Sequence, residues 1–98
     1  MTEFADQALA TLLRAYVLQL IGVLPDTERA RLDTISAKLK KQGHASWSEF
    51  VEAQMQFPAN MPELIVENWT HNRALAREQG LELVPERFAE EFVRANFL

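Results

Sequence analysis

Residues 60–80, Asn-Met-Pro-Glu-Leu-Ile-Val-Glu-Asn-Trp-Thr-His-Asn-Arg-Ala-Leu-Ala-Arg-Glu-Gln-Gly, form the stretch of sequence that decides the fold. Pro62 suits the first position of a helix, and Asn60 with Glu63 has the spacing of a capping box. Gly80 supplies the left-handed residue that ends many helices. The stretch therefore predicts a helix that begins just before the proline and ends just before the glycine.

One side of this predicted helix is apolar but also carries amides. A buried amide without a hydrogen-bond partner costs about 1–3 kcal/mol, so Asn68 and Asn72 need partners. One hypothesis is that they bond the backbone of an extended link over residues 81–84. The alternative is a partner-binding groove, in which both amides bind a partner's backbone and Trp69 is the aromatic anchor. The apolar residues that share their side, at about 100° per residue, are Leu64, Ile65, Trp69, Leu75 and Ala76.

Composition indicates one globular domain over residues 1–98, with 48% hydrophobic and 24% charged residues. The absence of cysteine excludes disulfides and thiolate metal sites, and is compatible with a cytoplasmic location. The first six residues are acidic where a secretory signal would be basic. The most apolar run, residues 8–24, contains Arg14 and is shorter than a usual membrane span, so we expect no membrane partner.

A first helix, over residues 3–23, is predicted to be the spine of the core. Its second half is apolar on nearly every side, and such a helix must be covered on every side. The other helices can supply that cover within one chain. The competing hypothesis is a homodimer whose seam is built from Val17, Leu18 and Ile21.

Local start and stop signals predict the remaining helices. Ser46 and Glu49 repeat the capping-box spacing, and Pro85 suits a first helical position. Strand signals are too short to support a sheet. The sequence therefore predicts an all-α, compact, irregular bundle of about five helices, with approximate bounds 3–23, 27–42, 47–56, 61–79 and 86–96.

The residues offer little for catalysis. No Gly-x-Ser-x-Gly elbow and no phosphate-binding glycine loop occurs, so we expect neither an enzyme nor a cofactor. Glu67 and His71 are four residues apart, a spacing that can place two ligands on one metal ion. A metal-binding helical bundle is therefore an alternative. The competing interpretation is that Glu67 and His71 belong to a solvated face of the helix, held by pairs of residues one turn apart.

Positive charge is concentrated in the second predicted helix, which holds half of the ten Lys and Arg residues. This helix can bind an anionic partner. Specific nucleic-acid recognition is not expected, because the helix that follows carries Glu49 and Glu52 where a recognition helix needs cations. The candidate contacts are Arg29, Arg31, Lys38, Lys40 and Lys41.

These observations together predict a small, cytoplasmic, non-catalytic protein-interaction module. Its predicted partner is a second copy of itself, through the apolar second half of the first helix. The alternatives that stay open are the metal-binding bundle and the contact with an anionic partner.

Overall fold

The part of the chain that the structure describes is a bundle of five helices, which confirms the predicted all-α fold. The computed structural model describes residues 3–97, and their side chains from residue 9 onward. No β-strand occurs within that part of the chain. The helices are α1 (Glu3–Leu20), α2 (Asp26–Lys40), α3 (Trp47–Met55), α4 (Met61–Glu78) and α5 (Pro85–Phe97).

Helix α1 is the spine of the bundle, as the sequence predicts. It packs against α3, α4 and α5, whereas α2 packs against α3. The fully buried side chains include Val17 of α1, Ile65 of α4 and Val93 of α5, and burying such a side chain contributes about 1.5–3 kcal/mol. The molecule measures 47 × 27 × 27 Å, so it is elongated.

Left-handed residues end the helices and turn the chain. At the end of α4, the Gly80 N–H donates to the Arg77 carbonyl at 3.0 Å and the Leu81 N–H donates to the Ala76 carbonyl at 2.8 Å. This is the Schellman pattern, and Gly80 has the positive φ of 74° that it requires. Helix α3 ends in the same way, but there Gln56 holds the left-handed conformation, with φ of 53°.

The start of α4 differs from the prediction. The Asn60 side chain makes no capping hydrogen bond, because its backbone angles of −92° and 8° are not the extended ones that a capping side chain needs. A turn in which the Met61 N–H donates to the Pro58 carbonyl at 3.0 Å holds the chain in this conformation. At α3 the predicted cap is present, since Ser46 is extended and its Oγ accepts from the Glu49 N–H at 3.2 Å.

Six aromatic rings form a continuous row through the core. Neighbouring centroids lie 5.2 to 5.8 Å apart along most of the row and 5.9 Å apart at its longest step, which is the range of favourable ring pairs. The row joins α1, the α3–α4 link, α5 and α4. Its members in spatial order are Tyr16, Phe57, Phe97, Phe92, Phe88 and Trp69.

Tyr16 is the polar end of this row and is almost completely buried. Its hydroxyl donates to Glu52 Oε2 of α3 at 2.8 Å. Burial, and then the hydrogen bond and negative charge of Glu52, raise the pKa of Tyr16 well above its ordinary value of 10.0. The bond therefore joins α1 to α3 only while the phenol keeps its proton.

We predict that Tyr16→Phe lowers the free energy of unfolding by about 1.5 kcal/mol at neutral pH, because a hydrogen bond to a charged group is lost. The pKa of Tyr16 is raised by folding, so its contribution is complete below pH 10.0 and declines as the pH rises above that value. The difference in the free energy of unfolding between the unmodified protein and Tyr16→Phe, measured by urea unfolding, should thus be smaller at about pH 11 than at neutral pH. A difference that is constant with pH would contradict this assignment.

We also predict that Gln56→Gly raises the free energy of unfolding by about 0.5–1 kcal/mol, because glycine adopts the left-handed conformation without a steric penalty. Thermal unfolding followed by circular dichroism measures the change. The matched control is Gln54→Gly, also exposed but inside α3, which should destabilise by about 0.5–1 kcal/mol. Equal shifts for the two variants would refute the interpretation.

Candidate functional site: a groove between α4 and α5

The apolar side of α4 is divided between core and solvent. Ile65 and Trp69 are buried, whereas Leu64 and Leu75 are 44% and 42% exposed. The apolar side of α4 therefore does not face the core over its whole width. Helix α4 packs against the bundle along a narrow strip, and the described part of the chain leaves the Leu64–Leu75 half of its apolar side open to solvent.

The two amides of interest lie on the open half. Asn68 is exposed and Asn72 is partly buried. Asn72 Nδ2 donates to the Asn68 carbonyl at 2.8 Å and also contacts Asn68 Oδ1. The hypothesis that the amides bond the backbone of residues 81–84 is therefore wrong, because Asn72 donates to Asn68 within one turn of α4 instead.

A groove runs between the open half of α4 and the last turns of α5. Its larger part has a volume of about 640 Å³. A smaller part of about 260 Å³ extends it toward the α4–α5 link and shares Asn68, Phe92 and Asn96 with the larger part. We call the two parts together the α4–α5 groove. The α4 side chains that line it are Met61, Leu64, Glu67, Asn68 and Asn72, and the principal α5 side chains are Phe88, Glu91, Phe92, Asn96 and Phe97.

The groove combines an aromatic floor with a polar rim. Phe92 and Phe97 belong to the aromatic row, so the packed core holds them in place. On the rim, Asn96 Nδ2 donates to the Phe92 carbonyl at 2.8 Å, as Asn72 does to Asn68. The Oδ1 atoms of Asn72 and Asn96 accept no hydrogen bond from the described residues and can accept one from a ligand N–H. Such a lining suits the binding of a polypeptide segment.

Trp69 lies behind the groove, and its role as an anchor for a partner stays a prediction. Its side chain is 8% exposed and packs edge-on against Phe88, with 5.2 Å between ring centroids. Arg73 covers the ring at 5.8 Å. The aromatic rings that line the groove itself are Phe88, Phe92 and Phe97. The signal in the sequence that could have indicated this surface is the four-residue spacing of Phe92 and Asn96.

The three residues of the predicted dimer seam differ in exposure. Val17 has no exposed surface, so a second chain cannot reach it in this conformation. Leu18 and Ile21 are partly buried and pack against the same core. The other helices thus cover much of the apolar half of α1 within one chain. The homodimer seam stays a prediction, and of its three residues only Leu18 and Ile21 can contact a second chain.

The basic residues of the second helix lie at the surface. Arg29 and Arg31 form exposed ion pairs within α2, with Asp26 at 3.6 Å and Glu28 at 3.1 Å. The three lysines at the end of this helix are exposed and form no ion pair with any residue that the structure describes. They are Lys38, Lys40 and Lys41.

The proposed metal ligands, Glu67 and His71, are both exposed on α4. The other histidine, His44, lies in the α2–α3 link and packs against Phe50 at 5.0 Å between ring centroids. Within the described residues, no group of three or more His, Asp or Glu side chains is arranged to hold a metal ion. None of the described helices is both long and apolar enough to span a membrane.

Comparisons of the chain with protein-family models, curated proteins and solved structures gave no match.

We predict that Asn72→Ala changes the free energy of unfolding by no more than about 0.5 kcal/mol, because its amide is solvated and alanine favours the helix. In contrast, Ile65→Ala on the buried half of α4 should cost about 2–5 kcal/mol. Urea unfolding monitored by tryptophan fluorescence measures both values. A large loss for Asn72→Ala would show that its amide supports the fold.

Proposed function

We propose that this chain is a non-catalytic, cytoplasmic protein-interaction module that binds through the α4–α5 groove. The observation that carries the proposal is that Leu64, 44% exposed, lines a groove whose floor is aromatic. A large exposed apolar side chain next to a preformed concavity is typical of an interaction surface. The cytoplasmic location is supported by the absence of cysteine.

The shape of the groove favours a helix as the bound segment. Leu64, Asn68 and Asn72 follow one another along α4 at four-residue intervals, so they form a straight row on one side of the groove. Helices bind to such grooves through apolar side chains three and four residues apart. Phe92 and Phe97 can receive these side chains, while the free amide oxygens accept polar hydrogens at the rim.

The charges of the groove favour a cationic segment. Its lining contains the carboxylates of Glu67 and Glu91 and no lysine, arginine or histidine. Glu91 pairs with Arg87 at 3.2 Å on the solvent side, whereas Glu67 makes no ion pair with any residue that the structure describes. A ligand with lysine or arginine beside its apolar residues is complementary to this lining.

A display library of helical peptides, selected on the immobilised full chain, tests the proposed function. We expect enriched peptides to combine apolar residues three or four positions apart with lysine or arginine. Leu64→Arg should weaken the best peptide by about tenfold or more, because it places a cation beside the apolar floor. Fluorescence anisotropy with the labelled peptide measures the affinity.

Thr70→Arg is the matched control, since it adds the same charge at an exposed position of α4 that does not line the groove. It should leave the peptide affinity unchanged. The proposed function fails if no peptide is enriched, or if the enriched peptides bind the Leu64→Arg and Thr70→Arg variants equally.

A further inference from the structure

The outer face of α2 has the features that the α4–α5 groove requires of a ligand. Arg31, Ile35, Lys38 and Lys41 follow one another at intervals of four, three and three residues, so they share one side of the helix. Ile35 is 37% exposed at the edge of this side that is nearest the buried Leu32, where it lines a cavity of about 310 Å³ with Leu12 of α1. The lysines around it form no ion pair with any described residue. We call these four residues the α2 face.

The dimensions of the two surfaces agree. Helix α2 has 15 residues, which makes it about 22 Å long. The row from Met61 to Asn72 on α4 extends about 17 Å along the groove. The buried leucines of α2, Leu32 and Leu39, hold it against the bundle, whereas Lys38 and Lys41 are exposed.

A single chain cannot bring these two surfaces together. Helix α2 packs on α3, whereas the groove is formed by α4 and α5, which pack on α1. The α2 face and the groove are therefore parts of different regions of an elongated molecule. Two chains related by a two-fold axis can each place the α2 face in the groove of the other, and the contact is then made twice.

We propose that the occupant of the α4–α5 groove is the α2 face of a second copy of this chain. Ile35 enters the apolar part of the groove, and Lys38 and Lys41 face the carboxylates of Glu67 and Glu91. Charge complementarity carries the choice of partner, because one chain supplies both the unpaired cations and the acidic lining. The inference rests on the proposed function, since it names the ligand of the same groove.

Charge-reversed pairs of the full-length chain test this arrangement. Sedimentation equilibrium of the unmodified chain at low salt should show a dimer whose dissociation constant rises with ionic strength. Lys38→Glu with Lys41→Glu, and separately Glu67→Lys with Glu91→Lys, should each weaken the dimer by about tenfold or more. All four residues are exposed, so we expect the variants to remain folded, and circular dichroism is the measurement that checks this.

Mixing the two reversed proteins provides the decisive measurement. In the mixed dimer, the glutamates of the reversed α2 face meet the lysines of the reversed groove. The unmodified α2 face meets the unmodified groove in the other contact. Both contacts join opposite charges, so we expect a heterodimer to form. A chain that carries all four changes should dimerise with itself. No other pairing of the two surfaces predicts both results.

The matched control reverses Arg29 and Lys40, which lie more than about 100° around α2 from Ile35. Arg29→Glu with Lys40→Glu makes the same charge change and should leave the dimer intact. The inference is overturned if the unmodified chain is monomeric at about 500 μM and low salt, a concentration far above typical dissociation constants of specific dimers. It is also overturned if the mixed proteins stay apart, or if Leu18→Lys rather than the groove variants abolishes the dimer.

The peptide-library selection is independent of these results. Library peptides that bind the groove of a monomeric chain would support the proposed function while rejecting the second copy as its ligand. Failure of both experiments would reject the groove as a binding surface.

Discussion

The contact between successive aromatic rings is the interaction on which the rest of this structure depends. Tyr16 begins the row on α1, and Trp69 ends it on α4, so the row connects the spine of the bundle to α4. Three of its rings, Phe88, Phe92 and Phe97, belong to α5. The position of α5 against α4, and hence the groove, follows from ring packing rather than from hydrogen bonds between helices.

Local chemistry in the sequence was sufficient to predict the helices. Ser46 caps α3 because its side chain accepts a hydrogen bond from a backbone N–H of the first turn. Gly80 ends α4 because glycine adopts a positive φ without a steric penalty. Asn60 shows where such reasoning fails, since a turn with Pro58 sets its backbone angles. A residue type indicates which cap can form, whereas neighbouring turns decide whether it does.

The candidate site was harder to predict, for a geometrical reason. Helical spacing places Leu64 and Ile65 about 100° apart within one apolar arc, but it does not show how wide a strip the neighbouring helices cover. Here the covered strip includes Ile65 and excludes Leu64. Asn68 and Asn72 conflict with an apolar core only if the core-facing strip of α4 is wide enough to include them, and the structure shows a narrower strip. Nothing in the local sequence of α4 indicates that Phe92 and Asn96 complete the surface, because that requires the packing of α5.

The positions of the two tryptophans have an experimental consequence. Trp47 begins α3 and its backbone N–H donates to Ser36 Oγ of α2 at 2.9 Å, whereas Trp69 closes the aromatic row behind the α4–α5 groove. The chain therefore carries one intrinsic fluorophore next to α2 and one next to the groove. Replacing either indole by phenylalanine leaves an optical reporter for the opposite region, without an attached dye.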